Sequence, residues 1–370
     1  MSAPSHRTGE THASGLSEPV GARFMMARLR RWLGLGAAPD APRGDGRPPG
    51  VPAADSPSAE PETGIPVPDD ASIARFYVES LFRMADRDGS ALSSTEREWL
   101  REHRERLRGQ DTSFGGLVPR LPAAMPRLMA ATRDPERTSA RELARMIESD
   151  PVLAANVLKV VNSPAMRMRS EAVDSLEQAV VIMGFPGMRE VIAAATISPI
   201  ASFDTDPRLD AAAIRQVWAH TLEAAVAVRD AAARTSPADA FELYLAGLSH
   251  SSGLMVLLRC LKSLDDVRPS SMFPGELEAL ARRYSAAVAR DWAFPKGTVE
   301  ALDQWAEGRD TPGAAVLNAA VVCVRAGALA ESGTISGEQL EVIRHRLPGF
   351  GEDRRERRDG HRPSDAITAE

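Results

Sequence analysis

Two histidines, His220 and His250, are the residues of this chain best placed for chemistry. Imidazole is the commonest metal ligand and the side chain that titrates nearest neutral pH. His250 opens the run His250-Ser251-Ser252-Gly253, which gathers a ring nitrogen, two hydroxyls and backbone N–H groups into one turn. Such a turn suits metal-assisted hydrolysis or the binding of a small ligand or anion. The supply of ligands weighs against hydrolysis. A catalytic divalent ion needs several converging His and carboxylate side chains and an open position for water. Of seven histidines, His6, His12, His103, His345 and His361 fall outside the central helices. Ser251 follows His250, and a hydroxyl is a poor ligand for a hard divalent ion. A working metal site would have to recruit Asp291 or Asp303 as replacement ligands. The plainer alternative makes His220 and His250 core histidines, hydrogen-bonded to backbone carbonyls or to Ser251. The candidates for a pocket are therefore His220, His250, Ser251 and Ser252. No catalytic residue, metal or cofactor is assigned.

A second group lies near the N-terminus, in Ala22 to Leu35, ARFMMARLRRWLGL. Met25, Leu29, Trp32 and Leu33 fall on one helical face, and Arg23, Arg28, Arg30 and Arg31 have no acidic residue among them. A basic amphipathic helix can lie on an anionic membrane surface, dock on a partner protein or pack on its own domain. Arg23, Arg28, Arg30, Arg31 and Trp32 are thus the candidates for a membrane or partner surface.

The elements that must position these residues are helices. Asp150 caps a first one with Pro151 at its first position, and Ser175 with Gln178 starts a second across an Asn162-Ser163-Pro164 break. Further start signals recur at Ser93 with Glu96, Ser139 with Glu142, Ser236 with Pro237 and Asp239, and Ser336 with Gln339. Strand alternation and Asn-Gly hairpin turns are absent. The pattern predicts an all-α protein, with roughly ten helices of ordinary length in its main domain. Its parts are a disordered extension over 1–68 with the basic island at 22–35, a helical hairpin over 70–110, a main domain over 116–347 and a disordered tail over 350–370.

Composition narrows the partners. Hydrophobic residues make up 43% and aromatics only 5%, so the core is built from Ala, Leu, Val, Ile and Met. The net charge is −6, which does not suit a nucleic-acid partner. Cys260 and Cys323 sit on apolar helical stretches, with no C-x-x-C pair, so a cysteine-based zinc site is not expected. No run of about 18 apolar residues is evident and no signal-peptide core precedes the domain, so a cytoplasmic location is expected, with membrane association only through 22–35.

Several short motifs, in order, resemble those of the HDOD family, an output domain of bacterial signalling related to the HD metallohydrolases. Leu121-Pro122 with Pro126, Asp150-Pro151, Asn162-Ser163, Ser175 to Val180 followed by Gly184, Val217-Trp218-Ala219-His220, Ala246 to Gly253 and Asp291 to Pro295 carry the resemblance. It covers about 118 to 330 and implies a multi-helix HD-like bundle. It places His220 and His250 at the first two histidine positions of the parent motif, with Ser251 where the metal-anchoring Asp belongs. Where active relatives carry further His residues, this chain has Asp303-Gln304-Trp305. The resemblance therefore implies a non-catalytic signal-transduction module with a degenerate site, binding a protein partner or a small ligand. The alternative is a divergent metal-dependent phosphohydrolase acting on a nucleotide or phosphoester.

Overall fold

The Asn162 side chain shows how short signals in this chain fix tertiary geometry. Its amide donates to the carbonyls of Leu158 and Val173, both at 2.9 Å, and its oxygen accepts from the Val173 N–H at 2.8 Å. One side chain thereby closes a helix end and clips the returning chain beside it. The computed structural model describes residues 66–347, except 83–90, 110–117, 119–120, 202–205, 207, 236–238 and 265–268. The basic island, with Arg23, Arg28, Arg30, Arg31 and Trp32, lies outside the described residues, as does the tail.

The described elements are helical. They are α1 (Asp70–Ser80), α2 (Ser94–Arg108), α3 (Met125–Arg133), α4 (Ala140–Glu148), α5 (Pro151–Val161), α6 (Leu176–Ile197), α7 (Ala211–Thr235), α8 (Ala240–Ser249), α9 (Ser252–Cys260), α10 (Phe273–Asp291), α11 (Lys296–Ala306), α12 (Pro312–Glu331) and α13 (Gly337–Arg346). Complete capping boxes open α2, α4 and α13 at Ser93, Ser139 and Ser336. Asp150 accepts from the N–H groups of Val152 and Leu153 to start α5. Ser175 caps α6, but Gln178 reaches the N–H of Asp174 rather than that of Ser175, so the expected box is half formed. The second helix also runs farther than the motif suggests. It bends at Gly184, whose φ of +64° suits glycine, ahead of Pro186, and then continues to Ile197.

Helices α3 to α5 pack on α6, and α6 meets α8. The rest form the second half, with α7 against α8 and α12, and α10 against α9 and α11. One continuous apolar core runs through both halves. Helix α1 packs on α10 and α12, and α2 packs on α10. Trp99 of α2 donates its indole N–H to Ser263 Oγ (3.2 Å) and the Cys260 carbonyl (3.3 Å), and Tyr284 donates to the His103 carbonyl at 2.9 Å. His103, on α2 and outside the central helices, is buried and stacked on Trp99 at 3.9 Å.

The expectation that no apolar stretch reaches membrane-spanning length is corrected. Three segments, Leu176–Ala201, Ala240–Ser263 and Pro312–Glu331, are long and apolar enough by composition alone. More than half of each is buried inside the protein. The first bends at Gly184 and the second breaks at His250-Ser251, so their apolar faces serve the core of the bundle.

Candidate functional site

His220 sits in the middle of α7, and His250 ends α8 at the joint to α9. Two glycines let these helices approach. A Cβ on Gly247 would stand 2.6 Å from the Cα of Ala225, and one on Gly253 would stand 2.1 Å from the Ala281 carbonyl oxygen. Those contacts draw α8 onto α7 and α9 onto α10, which brings the two histidines to one cavity.

The cavity is lined by Tyr77, His220, Thr221, His250, Ser251 and Arg325, with Val217, Ala224, Val321 and Val324. It is small, about 10 Å³ for the centre of a water-sized sphere, which is the room one water needs. His220, His250 and Ser251 thus meet as the sequence suggests. Ser252 does not join them, since its hydroxyl is buried against the Ser249 carbonyl at 2.7 Å. Asp303 lies at the surface beside Arg290 (3.2 Å), and Asp291 is exposed. Neither lines the cavity, so the replacement ligands a metal site would recruit are elsewhere.

Three polar lining residues were not among the sequence candidates. Tyr77, from α1, has its hydroxyl 2.8 Å from His220 Nδ1. Thr221 donates to the Val217 carbonyl at 2.7 Å, which leaves the Ser251 hydroxyl, 2.5 Å away, to donate to Thr221. Arg325, from α12, is 3% exposed. Its Nη1 reaches Glu278 Oε1 at 2.6 Å and its Nη2 reaches Oε2 at 3.3 Å, while Arg282 Nε donates to Oε1 at 3.0 Å. The Arg325 guanidinium also lies over the Tyr77 ring, 4.9 Å from its centroid. Arg325 had a signal in the sequence: it is the one charge in the apolar run Ala314–Ala330, and a buried Arg requires a carboxylate partner. Tyr77 had none, because its partner is 143 residues away.

The electrostatics follow from this packing. Burial, helped by the Arg325 charge, pushes both His220 and His250 down to about 4, so both rings are neutral at pH 7. Burial alone would raise Glu278, but Arg325 and Arg282 more than offset it and hold the carboxyl at about 2. Glu223, one turn along α7 from His220, is raised to about 7 by burial and by Glu331, and its Oε2 has no partner.

These residues do not fit a divalent ion. The cavity offers two neutral imidazoles, hydroxyls and no carboxylate. Its fixed charge is a guanidinium, which repels a cation. Among the described residues no three His, Cys, Asp or Glu side chains are grouped to hold a metal.

Among curated proteins none matches the chain. Solved structures with a similar course include a protein from Shewanella amazonensis provisionally named a metal-dependent phosphohydrolase (20% identity, 70% of this chain and 91% of that one, TM-score 0.49). An HDOD domain protein of unknown function from Geobacter sulfurreducens is similar over 73% of this chain and 83% of its own, at 22% identity and a TM-score of 0.43. A provisionally named signal transduction protein from Marinobacter aquaeolei shares 18% identity over 71% of this chain and 64% of its own, with a TM-score of 0.43. The HDOD domain model matches residues 118–306, from just ahead of α3 to the end of α11 and including both cavity histidines. With that match spanning just over half of its length, the chain belongs to the HDOD family.

Proposed function

We propose that this protein is a non-catalytic signal-transduction module that acts by binding a protein partner in the cytoplasm. The observation that carries the reading is the buried Arg325 guanidinium, paired with Glu278, in the cavity that holds His220 and His250. A hydrolase of the HD type uses that region for cations. Here the resident cation is a side chain, and the Asp that the resemblance expects after His250 is Ser251. Tyr77 and Arg325 both come from outside the matched family segment, so the flanks of the domain close its relict site. The cavity admits a water-sized guest at most, which disfavours it as the binding site of a nucleotide or phosphoester. The signal is therefore carried by the surface. Val152 and Val181 are exposed large apolar residues, on α5 and α6, and are the first positions to test for a partner contact. The island at 22–35, which lies outside the described residues, is proposed to add partner or membrane contact through Arg23, Arg28, Arg30, Arg31 and Trp32.

The test is a hydrolysis screen of the full chain on phosphomonoesters, phosphodiesters and nucleotides, with manganese, iron or zinc supplied. The expected rate equals that of the His250→Ala variant. A rate that this substitution abolishes while the protein stays folded would overturn the reading and favour the divergent phosphohydrolase.

A further inference from the structure

The cavity holds a buried donor that nothing in the protein satisfies and, in the same wall, a histidine ring acceptor. Arg325 spends Nη1 and Nη2 on Glu278, and its buried Nε–H has no protein partner. A guanidinium has only donors to offer. His250 Nδ1 stands 2.6 Å from the Gly247 carbonyl oxygen, and only an N–H can face a carbonyl at that distance. The proton of the neutral ring is therefore on Nδ1, and Nε2 carries its lone pair. Both residues line the same cavity.

The donor and the acceptor together choose the guest. An anion would satisfy Arg325 Nε–H but would set negative charge against the His250 lone pair. A metal cation would satisfy the lone pair but would meet the guanidinium. A neutral group that both accepts and donates satisfies both atoms, and the volume limits it to a single water. Its second hydrogen also has an acceptor nearby. Thr221 donates to Val217, and Ser251 donates to Thr221, so the Ser251 oxygen keeps a lone pair free. Elsewhere on the wall, the Tyr77 hydroxyl and His220 Nδ1 are engaged with each other at 2.8 Å.

We infer that this cavity is a binding site for one structural water, which accepts from Arg325 Nε and donates to His250 Nε2. The water takes the place of a metal ion between the α7–α8 pair and α12, and completes the hydrogen bonding of a buried cation. The inference rests on the reading of the cavity as one that excludes a metal, and the test separates the two.

The test is a high-resolution crystal structure of the full chain, grown with bromide and manganese present and measured for anomalous scattering. The expected result is one peak without anomalous signal, within hydrogen-bond reach of both Arg325 Nε and His250 Nε2. An empty cavity, a bromide peak, or a water out of reach of either atom overturns the water site and leaves the non-catalytic reading standing. A manganese peak on the two histidines overturns both.

Discussion

Arg325 of α12 grips Glu278 of α10 through both terminal nitrogens, at 2.6 and 3.3 Å, with both residues nearly excluded from solvent. The pair ties the last long helix to the centre of the bundle and sets the charge of the histidine cavity. A buried ion pair is not in itself a strong source of stability, because desolvation offsets the attraction, but breaking one partner leaves a lone buried charge. Arg325→Met should therefore lower unfolding stability by about 3–5 kcal/mol. The double variant Arg325→Met with Glu278→Gln should recover part of that loss. Urea unfolding of the two singles and the double checks this as a mutant cycle, and purely additive losses would contradict it.

Stability should fall on mild acidification. His250 is held near 4 when folded, against about 6.5 when unfolded. Between those values the unfolded chain binds the extra proton, so stability is lost as pH drops from about 6.5 to 4. The shift corresponds to about 3 kcal/mol for this one fully buried ring. His250→Gln should flatten the slope in that window. Unfolding midpoints measured from pH 7.5 to pH 4.5 would show it, and an unchanged slope would contradict it.

Glu223 works in the opposite sense. Its folded value is raised to about 7, so its burial costs stability increasingly as pH rises from about 4.5 to 7. Its Oε2 has no partner and Glu331 opposes its charge. Glu223→Gln should stabilise the protein by about 1 kcal/mol at pH 8 and leave it nearly unchanged at pH 5. Thermal unfolding at the two pH values checks this; a loss of stability at pH 8 would mean that the carboxylate has a favourable contact.

The glycine contacts predict a sharp contrast. Gly253→Ala drives a methyl group into the Ala281 carbonyl and the Ser285 N–H, both backbone atoms that cannot step aside. It should cost about 3 kcal/mol or more, as overpacking against backbone does. Gly337→Ala at the start of α13 meets no neighbouring atom and should be neutral to within about 0.5 kcal/mol. Equal effects in a denaturant titration would refute the close-approach account of how α9 seats on α10.

Much of this architecture was legible in the residues. The capping boxes at Ser93, Ser139 and Ser336 and the Asp150-Pro151 start are local chemistry, settled within four residues, and they place helix ends where they stand. The meeting of His220, His250 and Ser251 was legible through the family motifs. Tyr77, Thr221 and Arg325 were not, because their roles arise from packing between α1, α7 and α12, and no local rule encodes which helix face meets which. A lone Arg in an apolar helix is a signal for a buried pair, but it does not point to Glu278 as the partner. Ser252 shows the reverse case: its place in the His-Ser-Ser-Gly turn suggested a pocket hydroxyl, yet the helix start turns it back onto Ser249. The membrane-length segments were missed because Glu190 in α6, Glu242 in α8 and Arg325 in α12 interrupt the apolar runs by eye, while the windows still average apolar.

The central claim is that the cavity of His220 and His250 carries its own cation and takes no metal. The most direct measurement is the metal content of the purified full chain after exposure to manganese, iron and zinc and dialysis, alongside His250→Ala. The account predicts well under one ion per chain, the same in both proteins. One ion per chain in the wild type, lost in His250→Ala while that variant remains folded, would contradict it.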